Sequence, residues 1–209
     1  MKIADICAHM AEKIKIAIFA SGTGSNAKNL INSFSVCDYA KIELMVCNNP
    51  RANAVTIAHD NFLPCYIPLK NNWNSGIDLL QQLKNHSIDL IVLAGFLWKI
   101  PENVIHRYPD RIINIHPSLL PKFGGKGMYG RHVHEAVLAA GEKKSGITIH
   151  LVNEEYDKGR ILFQKSIDLN ENESSQSLAE RINELELLHF PEVVLDYIQN
   201  EILSPKTDD

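Results

Sequence analysis

The sequence has no cysteine framework, no apolar run of membrane-spanning length and no large excess of either charge. Its four cysteines, Cys7, Cys37, Cys47 and Cys65, include no C-x-x-C pair and follow neither zinc spacing nor the pattern of a disulfide-stapled secreted domain. Cys7, Cys47 and Cys65 sit in or beside apolar segments, the setting of free buried thiols in a reducing compartment. No stretch reaches the roughly 20 apolar residues of a membrane helix, and residues 1–13, with Asp5 and Glu12, lack the apolar core of a signal peptide. A formal charge of −4 provides no broad surface for nucleic acid or an anionic membrane, so any phosphate must be met locally. These absences predict a cytoplasmic protein with neither a nucleic-acid nor a membrane partner. Internal repeats and low-complexity segments are also missing, and no feature specifies an oligomeric state.

What is present is an ordinary globular composition: 209 residues, 45% hydrophobic and 22% charged. A chain of this size buries enough surface to fold as one domain without a metal or disulfide. From Ile14 onward, short β-branched runs alternate with helical patterns, the signature of crossover helices around a mostly parallel sheet. Strands are expected at Ile14–Ala20, Lys41–Cys47, Leu63–Ile67, Leu90–Leu93, Arg111–Ile115, Gly146–Val152 and Ile161–Lys165. Helices are expected at Ser25–Ser33, Asn53–Asp60, Gly76–His86, Glu102–Arg107, His132–Ala140 and Ser174–Glu201. The near-continuous apolar runs at 88–93 and 112–113 belong in mid-sheet, covered on both faces. The domain is expected to span 14–202, preceded by an extension at 1–13, in which Met10 offers an alternative start, and followed by a frayed tail at 203–209.

In such sheets ligands bind beyond the carboxyl ends of the strands, and three strand ends carry unusual residues. The first strand runs into Ser21-Gly22-Thr23-Gly24-Ser25-Asn26 and then a helix, a turn that can bring bare N–H groups against a phosphate at the positive end of a helix dipole. The same residues fit a loose dinucleotide fingerprint. The second strand, however, ends Val46-Cys47-Asn48-Asn49-Pro50, without the acid that holds a ribose. A turn serving only helix and strand packing is the plain alternative.

The fifth strand delivers Asn114-Ile115-His116-Pro117, with Asn114 and His116 on one side. An amide donor can stabilise a developing oxyanion and an imidazole can move a proton near neutral pH, which together suit acyl-type transfer. A strand-end pair satisfying a turn is the bland reading. Asp157, shortly before Gly159, can orient His116 and raise its pKa, although an Asp at such a place is most often a turn former. His150 can be a partner of the catalytic group or a satisfied core histidine. Gly124-Gly125-Lys126 lacks the spacing of a nucleotide-hydrolysing P-loop, and His132 and His134 diverge on a helix, so no metal site is expected.

Ser21–Asn26, Leu93-Ala94-Gly95-Phe96, Asn114–Pro121 and Tyr156-Asp157-Lys158-Gly159 occur in order, and over about residues 14–200 the chain resembles the phosphoribosylglycinamide formyltransferase family. The resemblance implies a single α/β formyltransferase domain, a Rossmann-like, mostly parallel sheet of about seven strands with helices on both faces. It implies a reduced folate, 10-formyltetrahydrofolate, as co-substrate and glycinamide ribonucleotide as acceptor, with no metal and no covalent intermediate. By resemblance, Gly24, Ser25 and Asn26 hold the phosphate and Glu186 the ribose hydroxyls. Leu97, Trp98, Lys99 and Ile100 line the folate site with the 152–157 loop. Asn114 and His116 polarise the formyl carbonyl, with His116 as proton donor and Asp157 tuning it.

The chain departs from the family in two places. Many relatives carry arginine where Trp98 stands, and often another near Trp73–Gly76, which leaves Lys99 and Lys70 to meet the folate's acidic tail. The glycine-rich segment 122–131 is longer than in the commoner bacterial form and reads as a flap or a surface loop. Rival readings are a methionyl-tRNA formyltransferase, a formyltetrahydrofolate hydrolase, a sugar-amine formyltransferase and, in a different class, a non-catalytic nucleotide-binding module.

Overall fold

The computed structural model describes residues 12–204. The sequence-based expectations for residues 1–11 and 205–209 lie outside the described residues. Seven strands, β1 (Ile14–Ala20), β2 (Ala40–Cys47), β3 (Cys65–Tyr66), β4 (Leu90–Leu93), β5 (Ile112–His116), β6 (Lys144–Leu151) and β7 (Ile161–Asp168), form one sheet in the order β3-β2-β1-β4-β5-β6-β7. The pairs from β3 to β5 are parallel, whereas β6 is antiparallel to both β5 and β7. The strand order reverses between β1 and β4, so a crevice opens beyond their carboxyl ends.

Among the described residues, seven helices cover the sheet: α1 (Ser25–Ser35), α2 (Asn53–Asp60), α3 (Lys70–Trp73), α4 (Ile77–Asn85), α5 (Glu102–Arg107), α6 (Arg131–Ala139) and α7 (Ser175–Tyr197), which continues into a π-helical segment, Ile198–Leu203. Strand alternation divides the core in two. Ile16, Ile18 and Ala20 face a cluster containing α1, α2, α6 and α7 residues, among them Leu30, Ala54, Val137 and Phe190. Ala17 and Phe19 face the other, with Trp73, Leu79, Leu83 and Val104 from α3, α4 and α5. Both faces of β1 from Ile16 on and of β4 are therefore dry, which is why Ile16–Ala20 and Leu90–Leu93 are unbroken apolar runs rather than alternating ones.

Expected and observed elements agree closely at β1, β4, α2 and α5. The third strand is shorter than expected, because β3 is an edge strand that keeps only two paired residues, Cys65 and Tyr66. The four-residue α3 was not anticipated.

Helix α7 passes through Pro191, which cannot donate to the carbonyl one turn back. The freed Leu187 oxygen accepts a hydrogen bond from Asn29 Nδ2 of α1 at 2.6 Å. Satisfying that orphan acceptor pins α7 against α1. The contact sits one turn from the residues of α1 and α7 that close the cavity described next.

Candidate active site

The crevice between the β1 and β4 ends opens into a cavity of about 1050 Å³. The residues expected from the sequence, Gly24, Ser25, Asn26, Leu97, Trp98, Lys99, Ile100, Asn114, His116, Asp157 and Glu186, all stand in its wall. Neighbouring loops are tied together there: Ser21 N donates to the Gly95 carbonyl at 3.2 Å, and Leu97 N donates to Ser21 Oγ at 2.9 Å.

At one end lies the glycine turn. Gly24 precedes α1 with φ 75, and a Cβ there would stand 2.7 Å from Ile57 Cδ1 and 3.1 Å from Ala54 Cα, so both conformation and space require glycine. Gly24 at the N-cap has no side chain to bond the first turn of α1, whose N–H groups suit an anion. Ser25 Oγ donates to Asn183 Oδ1 at 3.2 Å, and Asn26 Nδ2 donates to Glu186 Oε2 at 2.7 Å. Asn26 Oδ1 is buried without a partner among the described residues. Burial pushes the Glu186 carboxyl up to about 7, against the opposing pull of the Asn26 hydrogen bond.

In the middle of the cavity β5 presents Asn114 and His116, and the antiparallel partner β6 places His150 opposite Asn114 and Thr148 opposite His116. His116 Nε2 lies 2.8 Å from the Phe123 carbonyl, which can only accept, so that nitrogen carries a hydrogen. Its Nδ1 faces Asp157 Oδ2 at 3.7 Å. The other oxygen, Oδ1, stands 3.5 Å from His150 Nε2, and Oδ2 also accepts from Gly125 N at 2.7 Å. Asp157 adopts φ 57, a left-handed conformation that Asp tolerates in turns. It is thus a turn residue whose carboxylate also meets the histidines.

The expected influence of Asp157 on His116 is present, but burial opposes it. Asp157 does raise the imidazole pKa, but burial acts more strongly in the other direction and the net shift is downward. Neutral imidazole is therefore favoured, with Nδ1 unprotonated toward the carboxylate. Asp157 itself is pushed up by burial and down by His150, His116 and the Gly125 N–H, with the lowering contributions prevailing.

The far end is aromatic and apolar. Trp73 lies 5.3 Å from both Phe96 and Trp98, and its Nε1 donates to the Lys99 carbonyl at 2.7 Å. That packing anchors the 96–100 turn, leaving Leu97 52% exposed and Ile100 buried. Lys99 Nζ sits 5.8 Å from the Tyr156 ring centroid and 3.6 Å from Glu102, linking this turn to the 152–157 loop. Segment 125–131 supplies further wall.

Several groups at the site were not singled out from the sequence. Asn183 is one of many polar residues on α7, brought to Ser25 only by helix docking. The Phe123 carbonyl and Gly125 N–H are main-chain groups with no side-chain signature. His134, weighed from the sequence only as half of a metal-ligand pair, is buried with Nδ1 unpartnered among the described residues; the signal lay in its periodicity, since it falls on the buried face of α6 while His132 is exposed. No group of three or more His, Cys, Asp and Glu side chains suited to a metal occurs among the described residues.

An open α/β sheet with a glycine cup, a strand-borne Asn/His pair and a facing carboxylate defines an acyl-transfer site. The chain belongs to the formyl transferase family, whose profile it matches over residues 14–194, and to its phosphoribosylglycinamide formyltransferase branch. It is 38% identical to the chloroplastic phosphoribosylglycinamide formyltransferase of Arabidopsis thaliana over 91% of this chain and 67% of that one. The enzyme of the same name from Bacillus subtilis is 34% identical, over 86% of this chain and 92% of that protein. The chain spans only 59% of another 38% identical plant relative, from Vigna unguiculata. Among solved structures, phosphoribosylglycinamide formyltransferase from Bacillus halodurans superposes with a TM-score of 0.82 at 30% identity, covering 92% of this chain and 100% of that one.

Proposed function

We propose that the protein transfers the formyl group of 10-formyltetrahydrofolate to the amine of glycinamide ribonucleotide, the reaction named for its relatives. The observation that carries this reading is one cavity joining a main-chain phosphate cup, an apolar aromatic slot and, between them, Asn114, His116 and Asp157. The uncapped turn of α1 with Ser25 and Asn26 holds the phosphate, and Glu186 accepts from the ribose hydroxyls. Leu97, Ile100, Val152 and the Trp98 side of the slot suit a flat heterocycle, and Lys99 is placed to meet an acidic tail. Described helices are all too short or too polar to cross a membrane; a reducing, aqueous compartment, the cytoplasm, fits the thiols.

The folate supplies an activated formyl group. Asn114 donates an amide hydrogen to the formyl oxygen as negative charge develops on it. His116, neutral at rest, accepts at Nδ1 the proton released by the attacking amine, directly or through water. The imidazolium then lies against the Asp157 carboxylate, and its proton passes to the departing folate nitrogen. His116 thus accepts before it donates, a sequence favoured by its lowered pKa. Phe123 and Gly125, which bond His116 and Asp157, tie segment 122–131 to the proton-handling pair.

Purified protein given 10-formyltetrahydrofolate with glycinamide ribonucleotide or with water alone tests the proposal. Formyl transfer that requires the amine is expected. Equally rapid folate deformylation without it would identify a hydrolase instead.

A further inference from the structure

His150 is 1% exposed and occupies the β6 position directly across from Asn114. Its Nδ1 lies 2.8 Å from the Leu151 carbonyl. A carbonyl oxygen cannot donate, so Nδ1 must carry the hydrogen. In the neutral ring that leaves a bare lone pair on Nε2, and 3.1 Å from it stands Asn114 Nδ2. The carboxylate Oδ1 of Asp157 is farther off, at 3.5 Å. Thr148, two residues earlier on the same face, fixes the turn beyond β5 by accepting from Leu120 N at 3.0 Å and donating to the Ser118 carbonyl at 2.7 Å. The β5 end and its β6 partner are therefore held as one unit.

A side-chain amide is nearly symmetric in shape, and at a cavity wall either its NH₂ or its oxygen can face inward. Only the first orientation stabilises an oxyanion; the second repels it. We propose that His150 is a positioning residue that sets the orientation of the Asn114 amide. The Leu151 carbonyl fixes the tautomer, Nε2 accepts one Asn114 N–H, and the second N–H is directed to the reacting carbonyl. A protonated His150 would reverse this: its Nε2–H would point at an N–H donor, favouring Asp157 as partner and an inverted amide. This inference rests on the formyl-transfer reading above, and adds to it a reason for a histidine at 150.

Two measurements test it. In protein labelled with ¹⁵N-histidine, long-range ¹H–¹⁵N correlation, assigned by loss of the signal in His150→Gln, should show the neutral Nδ1–H tautomer of His150 at neutral pH. A doubly protonated ring or an Nε2–H tautomer would overturn the proposal, and this readout does not depend on activity. In the formyl-transfer assay, His150→Leu should lower kcat by up to about 10²-fold, the scale of one lost oxyanion donor, with the nucleotide KM little changed. His150→Gln, which offers an amide oxygen as acceptor, should recover a substantial part of that loss. Adding His150→Leu to Asn114→Ala should cost nothing further, because the residue being positioned is already gone. Additive losses in a folded double variant would show that His150 acts independently of Asn114. Absence of amine-dependent transfer in the unmodified protein would sink the functional reading, while leaving the ring's tautomer to be decided by the NMR measurement.

Discussion

The two ends of the cavity are built by different means. The cup at the β1–α1 junction is mainly backbone: a left-handed glycine, a helix terminus and hydrogen bonds to α7. The β5–β6 end is made of side chains, with Asn114, His116, His150 and Asp157 placed by cross-strand register and one tight turn. A main-chain cup suits a phosphate, whose binding needs several N–H groups but no proton transfer. Chemistry at a carbonyl needs groups that change protonation, which the backbone cannot supply. Variants at the first end should therefore act on nucleotide binding and those at the second on turnover.

The largest expected effect is at the side-chain end. Asn114→Ala should lower kcat by about 10²-fold or more while leaving the melting temperature and nucleotide affinity nearly unchanged. A folded variant with full activity would remove Asn114 from the reaction and erase the distinction between the two ends.

Asp157→Asn should come next. Asn tolerates the φ 57 backbone and keeps the turn, but it takes away the negative charge facing His116. That charge raises the imidazole pKa against burial, so His116 should titrate at still lower pH in the variant. Turnover near neutral pH should fall, with phosphate binding intact. An NMR titration of His116 and a pH–rate profile check this together; an unmoved imidazole with normal turnover would reduce Asp157 to a turn former.

At the cup, Gly24→Val forces a β-branched residue to φ 75 and into Ile57 and the Ala54 backbone. The conformation alone should cost about 1–2 kcal/mol of stability. Calorimetric titration of the folded fraction should show weakened nucleotide binding and nearly normal folate binding. Equal losses for both ligands would mean that the turn acts only through the fold.

The same contrast explains what could be read in the sequence. Strands β1 and β4 were legible because both faces are covered and the apolar runs stop at Ser21-Gly22 and Ala94-Gly95. The motif residues were legible because each is a chemically unusual side chain at a strand end. Helix α3 was not: Lys70-Asn71-Asn72-Trp73 has weak helix propensity, and the turn forms where Trp73 packs on Phe96 and Trp98. The antiparallel direction of β6, which puts His150 opposite Asn114, also lay beyond periodicity, since apolar patterning does not report strand direction. The upward pull of Asp157 on His116 was legible because a partner charge is visible in a sequence, whereas the depth of burial, which opposes it and sets the net shift downward, is not.

The smallest expected effect concerns pH, and it probes a buried carboxyl at the backbone-built end. Glu186 has a carboxyl raised to about 7 in the folded protein from an ordinary 4.5, chiefly by burial. The folded state therefore holds more protons than the unfolded state between those values. Stability associated with this group is fully present below about pH 4.5 and is lost as pH rises through about 7. Glu186→Gln keeps an oxygen to accept from Asn26 Nδ2 but cannot ionise. Melting curves recorded from pH 5 to pH 8 should thus diverge, with the variant gaining relative to the parent as pH rises. Nucleotide affinity should move the opposite way: the parent should bind more tightly as Glu186 ionises and accepts from the ribose hydroxyls, while the variant should show little of that dependence. Parallel melting curves would mean that Glu186 is hydrated rather than desolvated in the cup. A persistent pH dependence of binding in the variant would assign it to the second ionisation of the substrate phosphate, which lies near pH 6 in phosphomonoesters.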